Sequence, residues 1–325
     1  MILILRTGTI RNYGKTKVLT ISGTEDTITH FSFNSLKFTF DNAPTSHHNA
    51  YDNRDGLISA GAHSELILNE ISFYAAKAVT SILLTSSLIS ASEGKLTLNK
   101  FTFSDIRLKD SPLLLINTAT DMFAMTDTNN FKNITRETND GAVFSITLDN
   151  TDSNVAITRA TFDSCAVKDG AGGAIAVTAS AGSFSLTCCT FNECSSSKTQ
   201  NRKAFHGAGG ALYLSLTNTP ALSFTKRSFK DCKASLGTVI ATECEQTYIE
   251  ANYATFAEFF KFRRKRNLAV YGKYDDKKNT LDVTELYKFI PETAYVDGEG
   301  TDSEKCGKGT KGEKKAIRAR HSLVR

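Results

Sequence analysis

The chain has 325 residues, 40% hydrophobic and 22% charged, with four prolines, no tryptophan and seven cysteines. That composition is globular and long enough for one large domain or two ordinary ones; it excludes a disordered polymer, a collagen and a proline-rich fibre. The formal charge of +5 is confined to one end: residues 1–250 hold 22 Lys and Arg against 23 Asp and Glu, residues 251–325 hold 17 against 11, so the main body gives no electrostatic reason to expect nucleic acid.

At the start, Met1-Ile-Leu-Ile-Leu5 is apolar for only a few residues before Arg6. A secretory core needs about 7–15 apolar residues and a membrane helix about 18–20, so neither an export signal nor a membrane span is expected in this chain. Beyond it the 21 phenylalanines become periodic. Phe38, Phe73, Phe103, Phe131, Phe162, Phe191 and Phe229 are spaced by 35, 30, 28, 31, 29 and 38 residues. Seven and five residues before each sits an apolar pair: Phe31/Phe33, Leu66/Leu68, Leu96/Leu98, Val155/Ile157, Phe184/Leu186 and Leu222/Phe224, with Phe123/Met125 displaced by one. This alternation is that of strands with one face buried. Three residues after the anchor comes Ala76, Ile106, Ile134, Cys165, Cys194 or Cys232, Asp41 being the departure in the first unit. Each unit then has a second apolar run, at Gly56–Ser59, Ser81–Leu84, Pro112–Ile116, Gly141–Phe144, Gly172–Ile175, Gly209–Leu212 and Gly237–Ile240.

A unit of about 30 residues cannot bury its apolar face alone, whereas stacked units can. The predicted fold is therefore all-β: a single-stranded parallel β-solenoid of seven turns over residues 1–250, with like residues stacked at the ~4.8 Å spacing of neighbouring strands. Propeller blades are longer and leucine-rich repeats carry another signature. In this reading Phe162, Phe191 and Phe229 are interior stacks, and the pairs Gly172-Gly173 and Gly209-Gly210 supply positive φ and tight stacking at corners. Asn34, Asn69 and Asn99 stand at one place in their units and predict a short amide ladder. The column Cys165, Cys194, Cys232 fits stacked thiols acting as small hydrophobes, and equally disulfides between adjacent turns if the protein is exported. Of the neighbouring Cys188 and Cys189, one is expected inward and the other outward.

The residues now identify a likeness. Gly172-Gly-Ala-Ile175 and Gly209-Gly-Ala-Leu212 alternate with Phe162-Asp-Ser-Cys165, Phe191-Asn-Glu-Cys194 and Phe229-Lys-Asp-Cys232. They resemble the GGA(I/L/V) and FxxN motifs of polymorphic outer-membrane proteins, and more closely the large FxxC repeat proteins at the surface of anaerobic protists. The resemblance implies a right-handed, pectin-lyase-like β-helix, an extracellular or cell-surface location, and protein or glycan partners there. Ala294–Gly307 is similar to the YV…G.D…CG sequence that opens a further β-helix domain in such proteins; the Pro-Cys expected after it is replaced by Lys308–Lys315. Residues 251–293 are read as a cap and connector, with helical spacing over Leu281–Ile290, and 294–325 as a truncated second domain start with a basic, disordered tail. The whole reads as a fragment of a longer protein.

Two functions compete. The first is a non-enzymatic structural or adhesion-type repeat protein presenting loops such as Asn42–Arg54 and Ser195–Lys203. The second is a polysaccharide lyase or hydrolase on the same fold, whose carboxylates would stand two residues after the anchor: Asp105, Glu193 and Asp231, in line with Asn133 and Ser164. Such catalysis needs paired carboxylates, or a base beside Arg or a cation, and no continuous column of Arg or Lys runs beside this one: the residues just before it are Ser104, Lys132, Asp163, Asn192 and Lys230. His206-Gly207 lacks the companion motifs of pectin hydrolases. No cofactor or metal is implied. Arg263–Arg266 is read as a solvated connector, and Asn133-Ile-Thr135 is the one glycosylation sequon.

Overall fold

The computed structural model describes residues 2–11, 19–22, 24, 29–40, 50–51, 58–75, 82–118, 122–198, 207–235, 237–244, 248, 252, 268–271, 274–275 and 280–281. Alternating burial builds the strands. In the Phe162 unit, Val155, Ile157, Ala160, Phe162, Cys165 and Val167 are buried, and the residues between them are at least partly exposed. A strand with this pattern leaves its backbone groups to a neighbouring chain segment, and the neighbour is the same strand one unit on. Val155 stands beside Phe184, Ile157 beside Leu186 and Phe162 beside Phe191, all in parallel register.

Repetition of this pairing gives an 18-stranded and a nine-stranded sheet, an all-β parallel solenoid of about five turns where seven are expected. The backbone register nevertheless carries the anchor from Phe38 through Phe73, Phe103, Phe131, Phe162 and Phe191 to Phe229. It also begins one unit earlier. Ile2–Arg11 lies parallel to the next strand with Leu3 on Phe31, Leu5 on Phe33 and Ile10 on Phe38, so the opening apolar run is a rung in which isoleucine takes the anchor place. At the other end Leu268–Tyr271 joins the nine-stranded sheet beside Ile240–Glu243, carrying the stacking past residue 250. The helical spacing expected over Leu281–Ile290 falls almost wholly outside the described residues, as do 294–325.

Two unit boundaries differ from expectation. Ile82 and Leu84 pair with Ile106 and Leu108, so the position after the Phe73 corner belongs to Ile82 and not to Ala76. The strand of that unit in the nine-stranded sheet is Ile89–Ser92, aligned with Leu114–Asn117. Ser81–Leu84 is therefore not the second run of its unit; of two nearby apolar runs, periodicity alone does not say which one turns the corner. In the Phe38 unit Ala50–Tyr51 pairs with Leu83–Leu84, so Asp41 is not the counterpart there either.

The rings of the anchor column lie nearly parallel. Centroid distances from Phe73 to Phe229 run 4.6, 5.5, 5.1, 4.7 and 5.0 Å, with interplanar angles of 7–16°. Phe144, from the facing sheet, presents its edge to Phe131 and Phe162. Edge-to-face and offset-stacked pairs each contribute about 0.5–1.5 kcal/mol beyond the area they bury.

Candidate functional site

The candidate carboxylates stand at a corner. Asp105, Asn133, Ser164, Glu193 and Asp231 all have left-handed backbones, with φ of 58, 52, 54, 52 and 52°. A second corner, usually three residues before the anchor, is left-handed too: Ser35, Glu70, Lys100, Arg159, Cys188 and Lys226. Each corner turns the chain within one residue, which leaves no room for a β-branched side chain and favours Asn and Asp. Asp105, Asn133 and Asp231 therefore have a conformational reason to be there. Their side chains project outward; Asp105, Glu193 and Asp231 are exposed. Asn133 donates to Asp105 Oδ1 at 2.8 Å, and among the described residues no Arg, Lys or His pairs with Asp105, Glu193 or Asp231. The column thus sets Glu193 and Asp231 on neighbouring rungs, with Asn133 and Ser164 between them and Asp105, on open surface. His206, Arg263–Arg266 and most of the two long loops lie outside the described residues.

The other corner carries a polar chain across turns. Ser35 donates to Glu70 at 2.6 Å and Lys100 to the same carboxylate at 2.9 Å. The Ser35 hydroxyl and the Lys100 ammonium hold Glu70 below its ordinary range, and Glu70 in turn raises Lys100. Beside them the amide ladder is present: Asn69 donates to Asn34 at 2.7 Å, Asn99 to Asn69 at 2.6 Å, and the Thr126 hydroxyl to Asn99.

The displaced Phe131 unit shows how an extra residue is absorbed. Asp127 takes the left-handed corner one place early, and the buried Asn129 fills the gap in an inward column otherwise held by Ile71, Phe101, Ala160 and Cys189. Its amide donates to the carbonyls of Thr126 and Asp127 and accepts from Phe101 N–H at 2.9 Å, so a side chain takes over backbone pairing at the bulge. A second buried polar group, Arg136, sits in the interior column of Leu108 and Val167. Its guanidinium donates to the carbonyls of Asp110, Asp140 and Gly141. Burial pushes it down to about 10 while Asp140 and Asp110 oppose the shift, and it remains a cation at neutral pH. Sequence reasoning overlooked both residues, since each replaces an apolar residue in a column; the break in the column was the available signal.

The glycine pair has two separate causes. Gly172 is left-handed, with φ of 66°. Gly173 is not, yet a Cβ there would stand 2.1 Å from the Gly210 carbonyl oxygen and 2.4 Å from that of Ser195, so close stacking of turns requires its bare backbone. Of the thiols among the described residues, Cys165, Cys189, Cys194 and Cys244 are buried, Cys232 is half-buried and Cys188 is exposed, and none forms a disulfide. Three of the buried ones donate to a carbonyl of the preceding turn: Cys165 to Phe131, Cys194 to Phe162, Cys189 to Ile157. Burial pushes Cys189 up to about 11.

Among the described residues no group of three or more His, Cys, Asp and Glu is placed to hold a metal ion, and no helix is long and apolar enough to cross a membrane. No known family, curated protein or solved structure matches the chain.

Proposed function

We propose that this chain is a non-enzymatic structural repeat of a cell-surface or extracellular protein, a right-handed pectin-lyase-like β-helix whose outward loops contact proteins or glycans. The observation that carries the reading is the stack itself. Among the described residues one interior, filled by aligned aromatic and aliphatic columns, makes a stiff rod whose outer residues are free to vary without loss of fold. The GGA and FxxC motifs support the surface location through their resemblance to surface proteins. Binding along such a rod rests on many small contacts spread over several turns.

The test has two arms. In cells that make the protein, a membrane-impermeant biotin reagent should label it without lysis; labelling only after lysis overturns the location. Purified chain should release neither unsaturated products nor reducing ends from acidic polysaccharides. Release that is lost in Glu193→Gln or Asp231→Asn would replace the structural reading with the lyase or hydrolase.

A further inference from the structure

Cys165, Cys194 and Cys232 occupy one inward column in three consecutive turns. Their register follows from both sides: Asp163, Asn192 and Lys230 pair before them, and Ala166, Ser195 and Lys233 after them. Ser195 N–H donates to Cys165 O and Lys233 N–H to Cys194 O, each at 2.9 Å. In-register strands place successive Cα atoms about 4.8 Å apart, inside the roughly 4.4–6.8 Å window a disulfide requires. The Cys194 and Cys232 thiols make corresponding hydrogen bonds one turn apart, Cys194 to the carbonyls of Phe162 and Asn192 and Cys232 to those of Phe191 and Lys230. Cys189 provides the contrast: its own column neighbours are Ala160 and Arg227, and it has no thiol to meet.

We infer that this column is a redox site that takes one disulfide, between Cys194 and Cys232, and leaves Cys165 as a thiol. The middle cysteine can bond to one neighbour at a time, so three stacked thiols hold one bridge. Two observations select the partner. Cys232 is half-buried, whereas Cys165 is sealed in the core, so a small oxidant reaches Cys232 first. Bridging also draws the Cβ atoms in to about 3.8 Å, and the Phe229 rung has the looser packing to follow: Leu222, Phe229 and Cys232 are only partly buried, while Phe162, Cys165, Phe191 and Cys194 are fully buried.

The oxidant is a small-molecule disulfide. The Cys232 thiolate attacks one of its sulfurs, that S–S bond breaks, and one small thiol leaves. The Cys194 thiolate then attacks the Cys232 sulfur of the mixed disulfide, forming the protein bridge and releasing the second small thiol. Two protein thiols lose two electrons, and their protons end on the two small thiols. Contact with Cys194 and burial raise the Cys232 thiol, and burial raises Cys194, so the exchange is slow at neutral pH and the folded chain is stable as free thiols in a reducing medium.

The test uses the full chain with Cys188→Ser, equilibrated at mildly alkaline pH in hydroxyethyl disulfide and mercaptoethanol mixtures, then acid-quenched, alkylated and mapped by mass spectrometry. The expected product is lighter by two hydrogens, carries a Cys194–Cys232 cross-link, and has Cys165 and Cys189 alkylated only after unfolding. Cys165→Ala should keep the cross-link and Cys232→Ser abolish it, with urea midpoints confirming that both fold. A Cys165–Cys194 link, or a bond that forms only in urea, or none at the most oxidising mixture, overturns the assignment.

Discussion

Replacing Phe162 by alanine removes a side chain with no exposed surface. It faces Phe131 at 5.1 Å and Phe191 at 4.7 Å, and meets the edge of Phe144 at 6.2 Å. Phe→Ala in a closed core costs about 3–5 kcal/mol; the three ring contacts, at about 0.5–1.5 kcal/mol each, place this site in the upper half of that range. Phe162→Leu keeps most of the volume and forfeits mainly the ring contacts, so it should cost about 1.5–3 kcal/mol. Thr161→Ala, on the outer face of the same strand, should stay within about 0.5 kcal/mol. In urea, at a slope of about 3 kcal/mol/M, the alanine variant loses more than about 1 M of midpoint and the leucine variant roughly half as much. Because each turn rests on its neighbours, amide exchange in Phe162→Ala should quicken first in the rungs of Phe131 and Phe191. A midpoint shift below about 0.3 M, or equal shifts for alanine and leucine, would refute the view that ring stacking and not bulk hydrophobicity holds the turns together.

Gly173→Ala should lower the urea midpoint further than Ala174→Gly, because its Cβ meets carbonyl oxygens of two backbone segments and no flexible side chain. Arg136→Met leaves the carbonyls of Asp110, Asp140 and Gly141 without their donor and should cost about 3–5 kcal/mol, with Arg136→Lys recovering less than half since a single ammonium cannot span the fork; equal stability of Lys and Arg forms would contradict the assignment. Asn69→Ala breaks two half-exposed amide bonds and should cost about 1–2 kcal/mol in equilibrium unfolding. Native-state alkylation at pH 8 should modify Cys188 and spare Cys189, which burial holds near 11; Cys189 has a depressed thiolate population until pH rises through that value or the chain unfolds, and equal labelling at pH 8 would place Cys189 outside the core.

The interior columns were legible because burial repeats a residue type: the Phe, Cys and Gly-Gly positions predicted from spacing align in register, and so does the amide ladder of Asn34, Asn69 and Asn99. Three kinds of feature were not. Ile10 escaped because a search keyed on phenylalanine passes over an aliphatic residue at the anchor's register position. Ile82 was displaced because an inserted segment shifts the apparent offset without changing the chemistry. The carboxylates at Asp105, Glu193 and Asp231 looked like a chemical column, and the left-handed corner supplies a backbone cause for the two aspartates that no residue count could reveal. Sequence periodicity reports which side chains face inward; it is silent on φ.

The bulge at Asn129 has a consequence for how such a chain can change. A solenoid counts rungs, not residues: when one amide side chain closes the gap left by an inserted residue, the ring stack above and below stays in phase. Copying errors that add or remove a residue at a corner are then survivable, while the same error inside a strand would turn every following side chain inside out. Length variation should accumulate at the corners and loops of such a rod, giving it a changing outline around an interior that keeps time.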